Sequence, residues 1–227
     1  MSELGTVLVT GGASGLGAAV AQSVAEHGGR PVVLDRVEAP AWEHAVVDLA
    51  DSEQTEWVVH KTVRHVGGLD AVVTCAGTDA CGRLEDIERE DWERVVKVNL
   101  LGTVAVVRAA MPSLLRSQGK VVTVASTLAL RAMSDASAYC ASKFAVVGFT
   151  RALAAETQGR LGVTMLVPGG METAFFDNRE EQYKPPADAK LNRPEDVAEA
   201  VVFALTQPSG CEVRELVVTP SVESSWP

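Results

Sequence analysis

The 227-residue chain has few of the residues that build metal sites and disulfide frameworks. Its cysteines, Cys75, Cys81, Cys140 and Cys211, include no CxxC pair, and its four histidines show no HExxH spacing. A zinc site needs clustered cysteine and histidine ligands, so we expect no metal. Each cysteine is expected to be a small apolar filler with a reduced thiol.

Long apolar runs and an excess of positive charge are also missing. No stretch of about 18 or more consecutive apolar residues is present, so the sequence predicts no transmembrane helix. The N-terminus has neither a basic nor a cleavage-type segment, so we expect no signal peptide and a cytoplasmic location. The formal net charge is −10, whereas a nucleic-acid surface needs a basic patch. We therefore expect neither membrane nor nucleic acid among the partners.

The chain does contain a regular alternation of short apolar runs and helical patterns. The apolar runs predict strands at residues 5–10, 31–35, 44–48, 69–74, 120–125, 162–167 and 215–218. The helical patterns predict helices at residues 16–27, 52–66, 88–116, 137–157 and 194–206. Such alternation is typical of βαβ units, so we predict an α/β fold: a doubly wound parallel sheet (Rossmann fold) with helices on both faces. No linker interrupts the pattern, and we expect one domain over residues 1–227.

A glycine-rich turn follows the first strand and opens the first helix, with the sequence Thr10-Gly11-Gly12-Ala13-Ser14-Gly15-Leu16-Gly17. Glycines let the backbone approach a pyrophosphate, and a helix N-terminus offers free N–H groups, although such a turn alone can be purely structural. Asp35 ends the next strand, where a carboxylate can accept hydrogen bonds from the adenosine ribose. It would repel the extra phosphate of NADP and so favours NAD. Arg36 beside it could still turn toward such a phosphate.

Tyr139 and Lys143 lie four residues apart in a predicted helix, and Ser126 follows the fifth strand. Positions i and i+4 share one helix face. Lowering the pKa of a tyrosine from about 10 to about 7 needs roughly 4 kcal/mol of preference for the phenolate. A lysine charge at ~4 Å supplies about that much at an effective dielectric constant of about 20. The trio therefore predicts a tyrosine general base, with Ser126 stabilising charge on the substrate oxygen.

Taken in order along the chain, these motifs resemble the short-chain dehydrogenase/reductase family. The matching motifs are TGGASGLG, Asp48-Leu49, Cys75-Ala76-Gly77, Asn99, Ser126, Tyr139 with Lys143, and Pro168-Gly169. The resemblance implies a nicotinamide cofactor and a catalytic tetrad of Asn99, Ser126, Tyr139 and Lys143. It also implies cofactor contacts from Gly11, Ser14, Gly15, Leu16, Gly17, Asp35, Asp48, Leu49, Ala76, Gly77, Tyr139, Lys143, Pro168, Gly169 and Thr173.

One position departs from the family pattern. The family usually reads Asn-Ala-Gly where this chain has Cys75-Ala76-Gly77. The asparagine ties neighbouring backbone segments together, and a cysteine is a poorer hydrogen-bonding partner. A redox role for Cys75 is conceivable, but a buried strand-end thiol is the favoured interpretation.

The expected function is an NAD(P)-dependent interconversion of a secondary alcohol and a ketone, with Tyr139 as general acid/base and NAD favoured over NADP. A non-catalytic dinucleotide sensor on the same fold remains an alternative, although it has no need of an intact Tyr139, Lys143 and Ser126. An epimerase or dehydratase of the related longer branch is a second alternative. That branch needs a sizeable C-terminal domain, and only about 60 residues follow Pro168.

The substrate is less readable than the chemistry. Residues 170–192, with Phe175 and Phe176 but no clear periodicity, are expected to form a short mobile lid. Leu128, Leu130 and Met133 suggest an apolar pocket for a small alcohol or ketone, with Arg83 and Arg131 as possible charged exceptions. The family also implies a homo-oligomer, either a tetramer or a dimer.

Overall fold

The computed structural model describes residues 4–223. Its strands are β1 Thr6–Thr10, β2 Arg30–Asp35, β3 Glu43–Val46, β4 Ala71–Thr74, β5 Lys120–Val124, β6 Gly162–Pro168 and β7 Glu215–Val218. Its α-helices are α1 Gly15–Glu26, α2 Ser52–Val66, α3 Arg89–Val96, α4 Thr103–Ser117, α5 Ser137–Glu156 and α6 Pro194–Leu205. Every predicted strand and helix has a counterpart among these elements. The two ends of the predicted 1–227 domain lie outside the described residues.

All seven strands pair in parallel, in the order β3-β2-β1-β4-β5-β6-β7. The chain order reverses at β1, which has β2 on one side and β4 on the other. The register aligns Thr10 of β1 with Thr74 of β4, and Thr74 with Thr123 of β5, so the carboxyl ends of these strands lie level. This topology confirms the predicted doubly wound sheet. A crevice outside the strand ends at such a reversal is where ligands bind in folds of this kind.

Helices cover both faces of the sheet because residues along each strand alternate in direction. Leu8, on β1, packs into a core under α2 and α4, while its neighbours Val7 and Val9 pack into a second core under α1 and α6. All three side chains are fully buried. A fully buried valine or leucine contributes about 1.5–3 kcal/mol, so both layers hold the strand ends in place.

The predicted helix over residues 88–116 is continuous in the structure but contains a π-helical turn in its middle. This turn, Lys97–Gly102, joins α3 to α4 and contains Asn99. By length and hydropathy the stretch Arg89–Ser117 could cross a membrane, yet 61% of its most apolar window is buried inside the protein. Such burial is usual for a helix that packs in a protein core.

Residues 170–192 form an excursion between β6 and α6. The excursion contains two short 3₁₀ turns, Ala174–Phe176 and Glu181–Tyr183. Its two ends are tied together, since Asn192 N–H donates to the Gly170 carbonyl and Glu172 N–H donates to the Asn192 carbonyl, both at 2.9 Å. The segment thus leaves the sheet and returns to the same point.

Candidate active site

The glycine-rich turn lies flat against the carboxyl end of the sheet. Gly11 has a φ of +70°, its N–H donates to the Leu34 carbonyl at 2.8 Å, and a Cβ there would lie 2.8 Å from Ala76 Cα. A Cβ on Gly17 would lie 2.2 Å from the Gly11 carbonyl oxygen. Side chains at either position would push the turn out of shape.

The N-terminus of α1 opens directly from this turn. Ser14 precedes the helix, is exposed, and makes no side-chain capping bond, while Leu16 and Gly17 are buried in the first turn. The first N–H groups of a helix have no partners within the helix, and they favour anions. The close glycine cradle and this helix end together fit the pyrophosphate of a dinucleotide.

Asp35, at the end of β2, holds the glycine turn in place. One carboxylate oxygen accepts from the Ala13 N–H at 3.0 Å and the other from the Val37 N–H at 3.2 Å. The side chain is half-buried and Arg36 beside it is exposed. The carboxylate therefore stands at the edge of the crevice, with the turn fixed to it.

Asp48 and Leu49 follow β3 at the same edge. Asp48 accepts from the Ala50 N–H at 3.0 Å and from Arg94 Nη2 at 2.9 Å. Partial burial raises the pKa of Asp48, but these two hydrogen bonds and the positive charges of Arg94 and Arg36 together lower it below its usual value. Leu49 is buried against Gly102 of the π-helical turn. Arg94 is a neighbour that no sequence motif indicated.

Ala76 and Gly77 lie between the glycine turn and the buried end of Lys143. The Ala76 N–H donates to Thr10 Oγ1 at 3.1 Å, which ties β4 to β1. A Cβ on Gly77 would lie 3.8 Å from Lys143 Nζ and 3.5 Å from Asn99 Oδ1. The backbone at Gly77 thus forms part of the wall beside these two side chains.

Asn99 clamps two elements together from the π-helical turn. Its Oδ1 accepts from the Thr78 N–H at 2.8 Å, and its Nδ2 donates to the Thr78 carbonyl at 2.9 Å and to Ser142 Oγ at 3.0 Å. Ser142 Oγ in turn donates to the Tyr139 carbonyl at 2.8 Å. Asn99 is therefore fully engaged and connects the loop after β4 to α5.

Lys143 is a buried lysine, only 4% exposed. Its Nζ donates to the Val124 carbonyl at 2.8 Å, at the end of β5. Burial lowers the pKa of Lys143 to about 8, and the negative charge of the Asp79 carboxylate opposes that shift. The ammonium is still the main form at neutral pH.

Tyr139 lies on the same face of α5, as the spacing predicted. Lys143 Nζ is 5.7 Å from the centre of the Tyr139 ring. Burial raises the pKa of Tyr139 to about 12, while a hydrogen bond with the Ser126 side chain pulls it down in part. The expectation that Lys143 alone brings this pKa near 7 is therefore wrong for the protein's own groups. Desolvation of the phenol is the largest effect on this pKa, and the Lys143 ammonium donates to the Val124 carbonyl.

Ser126 and Thr173 close the site from two further loops. Ser126 Oγ caps the 3₁₀ turn Thr127–Ala129, accepting from the Leu128 N–H at 3.1 Å, and also faces Tyr139. Pro168 ends β6 and Gly169 follows it, and both residues are buried. Beyond them the Thr173 side chain lies 3.4 Å from where a Cβ on Gly15 would stand. The loop after β6 therefore reaches the glycine turn.

Two charged side chains beside Tyr139 escaped the sequence reasoning. Asp79, after β4, and Arg179, in the 170–192 segment, form an ion pair at 2.6 Å with side chains 7% and 19% exposed. Arg83 and Arg131, the cations that the sequence singled out, are exposed instead. The two partners are a hundred residues apart, and no periodicity links them.

Cys75 packs among the apolar residues under α1 and α6. Burial raises the pKa of its thiol to about 12, so the thiol is protonated at neutral pH. This disfavours the redox interpretation. Within residues 4–223, no three or more His, Cys, Asp or Glu side chains form a group that could hold a metal ion.

The sheet, the glycine turn at its switch point and the Ser126–Tyr139–Lys143 cluster define a dinucleotide-binding α/β protein. The family model for short chain dehydrogenases matches residues 5–184. An uncharacterized oxidoreductase of Staphylococcus aureus (strain MW2) is 31% identical, over 94% of this chain and 96% of that protein. The chain belongs to the short-chain dehydrogenase family and is an oxidoreductase.

Two solved structures share this fold. The aldohexose dehydrogenase of Thermoplasma acidophilum, in ligand-free form, superposes with a TM-score of 0.86 at 24% identity, over 94% of this chain and 92% of that one. The alcohol dehydrogenase of Thermococcus sibiricus, complexed with 5-hydroxy-NADP, superposes with a TM-score of 0.84 at 25% identity, over 94% and 95%. The family binds a nicotinamide dinucleotide, and these two neighbours do not decide between NAD and NADP for this chain.

Proposed function

We propose that this protein interconverts a secondary alcohol and a ketone, with Tyr139 as general acid/base and Asn99, Ser126 and Lys143 supporting it. One observation carries the proposal: Tyr139, Ser126 and Lys143 converge at the carboxyl edge of the sheet, beside the glycine turn. A nicotinamide dinucleotide would supply the hydride acceptor for oxidation and the hydride donor for reduction. The single domain and the short lid at residues 170–192 belong to the same proposal.

The residues that would hold this cofactor lie at the carboxyl ends of β1, β2, β3, β4 and β6 or directly after them. Gly11, Ser14, Gly15, Leu16 and Gly17 would cradle the pyrophosphate, and Asp35 the adenosine ribose. Asp48 and Leu49 would flank the adenine, while Ala76, Gly77, Pro168, Gly169 and Thr173 would line the nicotinamide half. We favour NAD because the Asp35 carboxylate would repel the extra phosphate of NADP.

The proton chemistry follows from the protonation states of Tyr139 and Lys143. With a pKa of about 12, the Tyr139 phenol holds its proton at neutral pH and can donate it to a carbonyl oxygen. Ser126 would hydrogen-bond the same oxygen, and the Lys143 ammonium would stabilise charge that develops on the phenol. The protein's own groups therefore favour ketone reduction at neutral pH, and alcohol oxidation should accelerate as the pH rises.

Asp79 and Arg179 are paired with each other and add no net charge of their own beside the site, and Leu128 and Leu130 are partly buried near Ser126. A small, largely apolar alcohol or ketone suits this environment. Homo-oligomerisation through the long helix of residues 97–117 and through α5 is part of the same proposal, because Leu101 in the π-helical turn and Phe144 on α5 are each 45% exposed.

A cofactor absorbance assay tests the function. Cyclohexanol, cyclohexanone, acetophenone and an aldohexose are tested with NAD, NADP and their reduced forms. We expect net turnover with at least one pair, faster reduction than oxidation near neutral pH, and an oxidation rate that climbs toward alkaline pH. A sensor would bind NADH without turnover, and an epimerase would show no net change in the cofactor.

The variant Tyr139→Phe tests the assignment of the general acid/base. Removing the hydroxyl should lower kcat by about 10²–10⁴-fold. The affinity for NADH, measured by fluorescence, serves as the control and should change little. An unchanged kcat would exclude Tyr139 as the proton-transfer group.

A further inference from the structure

An ion pair joins the loop after β4 to the 170–192 segment, next to Tyr139. Arg179 Nη2 lies 2.6 Å from Asp79 Oδ2. The second carboxylate oxygen accepts from the Ala80 N–H at 2.8 Å, and Cys81 Sγ donates to Oδ2 at 3.3 Å. Removing one partner of a pair buried this deeply leaves an uncompensated charge. The pair is therefore a fixed part of the site and not a loose surface contact.

The Asp79 end of this pair is anchored through its neighbour Thr78. Both backbone groups of Thr78 bind the Asn99 side chain, at 2.8 and 2.9 Å. Asn99 itself is a buried residue of the π-helical turn. The carboxylate is thus carried by a loop that cannot shift without breaking the Asn99 contacts.

The Arg179 end holds the aromatic side chains that face Tyr139. Its guanidinium carbon lies 5.1 Å from the ring centre of Phe175 and 4.6 Å from that of Phe176, and Nη1 donates to the Tyr183 carbonyl at 3.2 Å. The Phe175 ring is 5.8 Å from the Tyr139 ring. Contacts therefore run without a break from Asp79 through Arg179 and Phe175 to Tyr139.

The charged and polar groups around the Tyr139 phenol come from four parts of the chain. The groups are Lys143 and Cys140 on α5, Asp79 in the loop after β4, Arg179 in the 170–192 segment, and the Ser126 hydroxyl after β5. The Asp79 carboxylate raises the pKa of Tyr139 and the Arg179 guanidinium lowers it. Within the pair the two effects oppose each other.

We propose that the Asp79–Arg179 pair has two roles at the site. It positions the aromatic wall formed by Phe175 and Phe176, and it sets two opposite charges beside the Tyr139 phenol. Arg179 holds Phe175 against the Tyr139 ring, and the opposite charges of the pair act on the phenol in opposite directions. Asp79 and Arg179 act through other residues and are positioning residues. The inference rests on the proposed role of Tyr139. It adds two residues outside the tetrad, Asp79 and Arg179, that influence how Tyr139 is placed and protonated.

Neutralising each partner separately gives opposite expectations. Arg179→Gln leaves the Asp79 carboxylate alone, and the rising limb of the pH profile for oxidation should move to higher pH by about half a unit. Asp79→Asn leaves the guanidinium alone and should move the same limb down by about as much. The double variant D79N/R179Q should return it close to the native position. The profile is measured as kcat/KM for cyclohexanol with NAD.

Hydrogen–deuterium exchange of residues 174–183 measures, without any substrate, how firmly the segment with Phe175 and Phe176 is held. Exchange should rise several-fold in Arg179→Gln and in Asp79→Asn. Arg193→Gln is the matched control, because Arg193 forms an exposed pair with Glu195 at 3.4 Å outside this segment. It should change neither the exchange nor the pH profile. Thermal unfolding establishes that each variant is folded before it is compared.

The two failures can be told apart. If Tyr139→Phe retains full turnover, the proposed function falls, while the exchange data still judge the anchoring of Phe175. If Tyr139→Phe is inactive but both pair variants shift the profile in the same direction, or neither shifts it, the charge-balancing proposal is overturned. Unchanged exchange in both pair variants overturns the positioning role.

Discussion

Lys143 Nζ donates to the Val124 carbonyl oxygen at 2.8 Å, its one hydrogen bond within residues 4–223, in a site where the lysine is only 4% exposed. An ammonium taken out of water loses hydration that one hydrogen bond does not replace. The lowered pKa of about 8 expresses that loss. The residue proposed to assist catalysis is therefore also one that costs the fold stability.

Replacing Lys143 by methionine should stabilise the protein at pH 7. Both folded and unfolded states are protonated there, so the full cost of the buried charge, on the order of 3 kcal/mol, is present. Between the folded pKa of about 8 and the unfolded value of 10.5, only the unfolded state keeps the proton, so rising pH stabilises the native protein. The difference in free energy of unfolding between Lys143→Met and the native protein should therefore shrink over this range. Urea unfolding at both ends of this window measures it. Lys97→Met, an exposed control, should show no such pH dependence, and an equal difference at both pH values would contradict the prediction.

Asn99→Ala should destabilise the protein by about 2–4 kcal/mol. The change removes three hydrogen bonds and leaves the N–H and carbonyl groups of Thr78 without their partner. Urea unfolding gives the difference. Gln22→Ala removes an exposed amide that bonds Glu26 and should cost less than about 0.5 kcal/mol. Equal effects of the two changes would argue against a clamp at Asn99.

Gly17→Ala should weaken dinucleotide binding by at least about tenfold, since the added Cβ would lie 2.2 Å from the Gly11 carbonyl oxygen and displace the cradle. Gly148, inside α5, serves as the control because a Cβ added there would meet nothing within 4 Å. Gly148→Ala should leave affinity unchanged and stabilise the helix by about 0.5–1 kcal/mol. NADH fluorescence titration compares the two, and a normal affinity in Gly17→Ala would place the cofactor elsewhere.

Asp35→Asn should raise the ratio of kcat/KM for NADP to that for NAD by about tenfold, equivalent to about 1.4 kcal/mol of lost discrimination. The amide oxygen can still accept from the Ala13 N–H, so the turn is retained while the charge is removed. Arg36→Gln is the companion variant and should reduce any residual activity with NADP. A native enzyme that already prefers NADP would refute the assignment to NAD.

The fold followed from the sequence because each strand is a short apolar run and each helix has its own periodic face. Even so, β4 begins at Ala71 and not at residue 69, because the Leu69 N–H donates to Ser113 Oγ. Ser113 lies in α4, 44 residues further along the chain, so the sequence pattern around Leu69 could not predict this bond.

The site was readable where spacing places side chains on one face, as for Tyr139 and Lys143. The direction in which the pKa of Tyr139 shifts could not be predicted, because it depends on how far the phenol is buried from water and on where the Lys143 nitrogen points. The Asp79–Arg179 pair likewise depends on two loops meeting in space, and neither loop has a period from which that meeting could be foreseen.

The π-helical turn at Lys97–Gly102 also changes the direction in which α4 presents its side chains relative to α3. One extra residue in a helical turn rotates everything beyond it by about 100°, the angle that each residue spans in an α-helix. On one side of the π-helical turn α3 packs against α5, and on the other side α4 packs against α2. Deleting a single residue there would make the helix regular and swing Asn99 away from Thr78, so a shorter chain would lose the alignment of two helices at once.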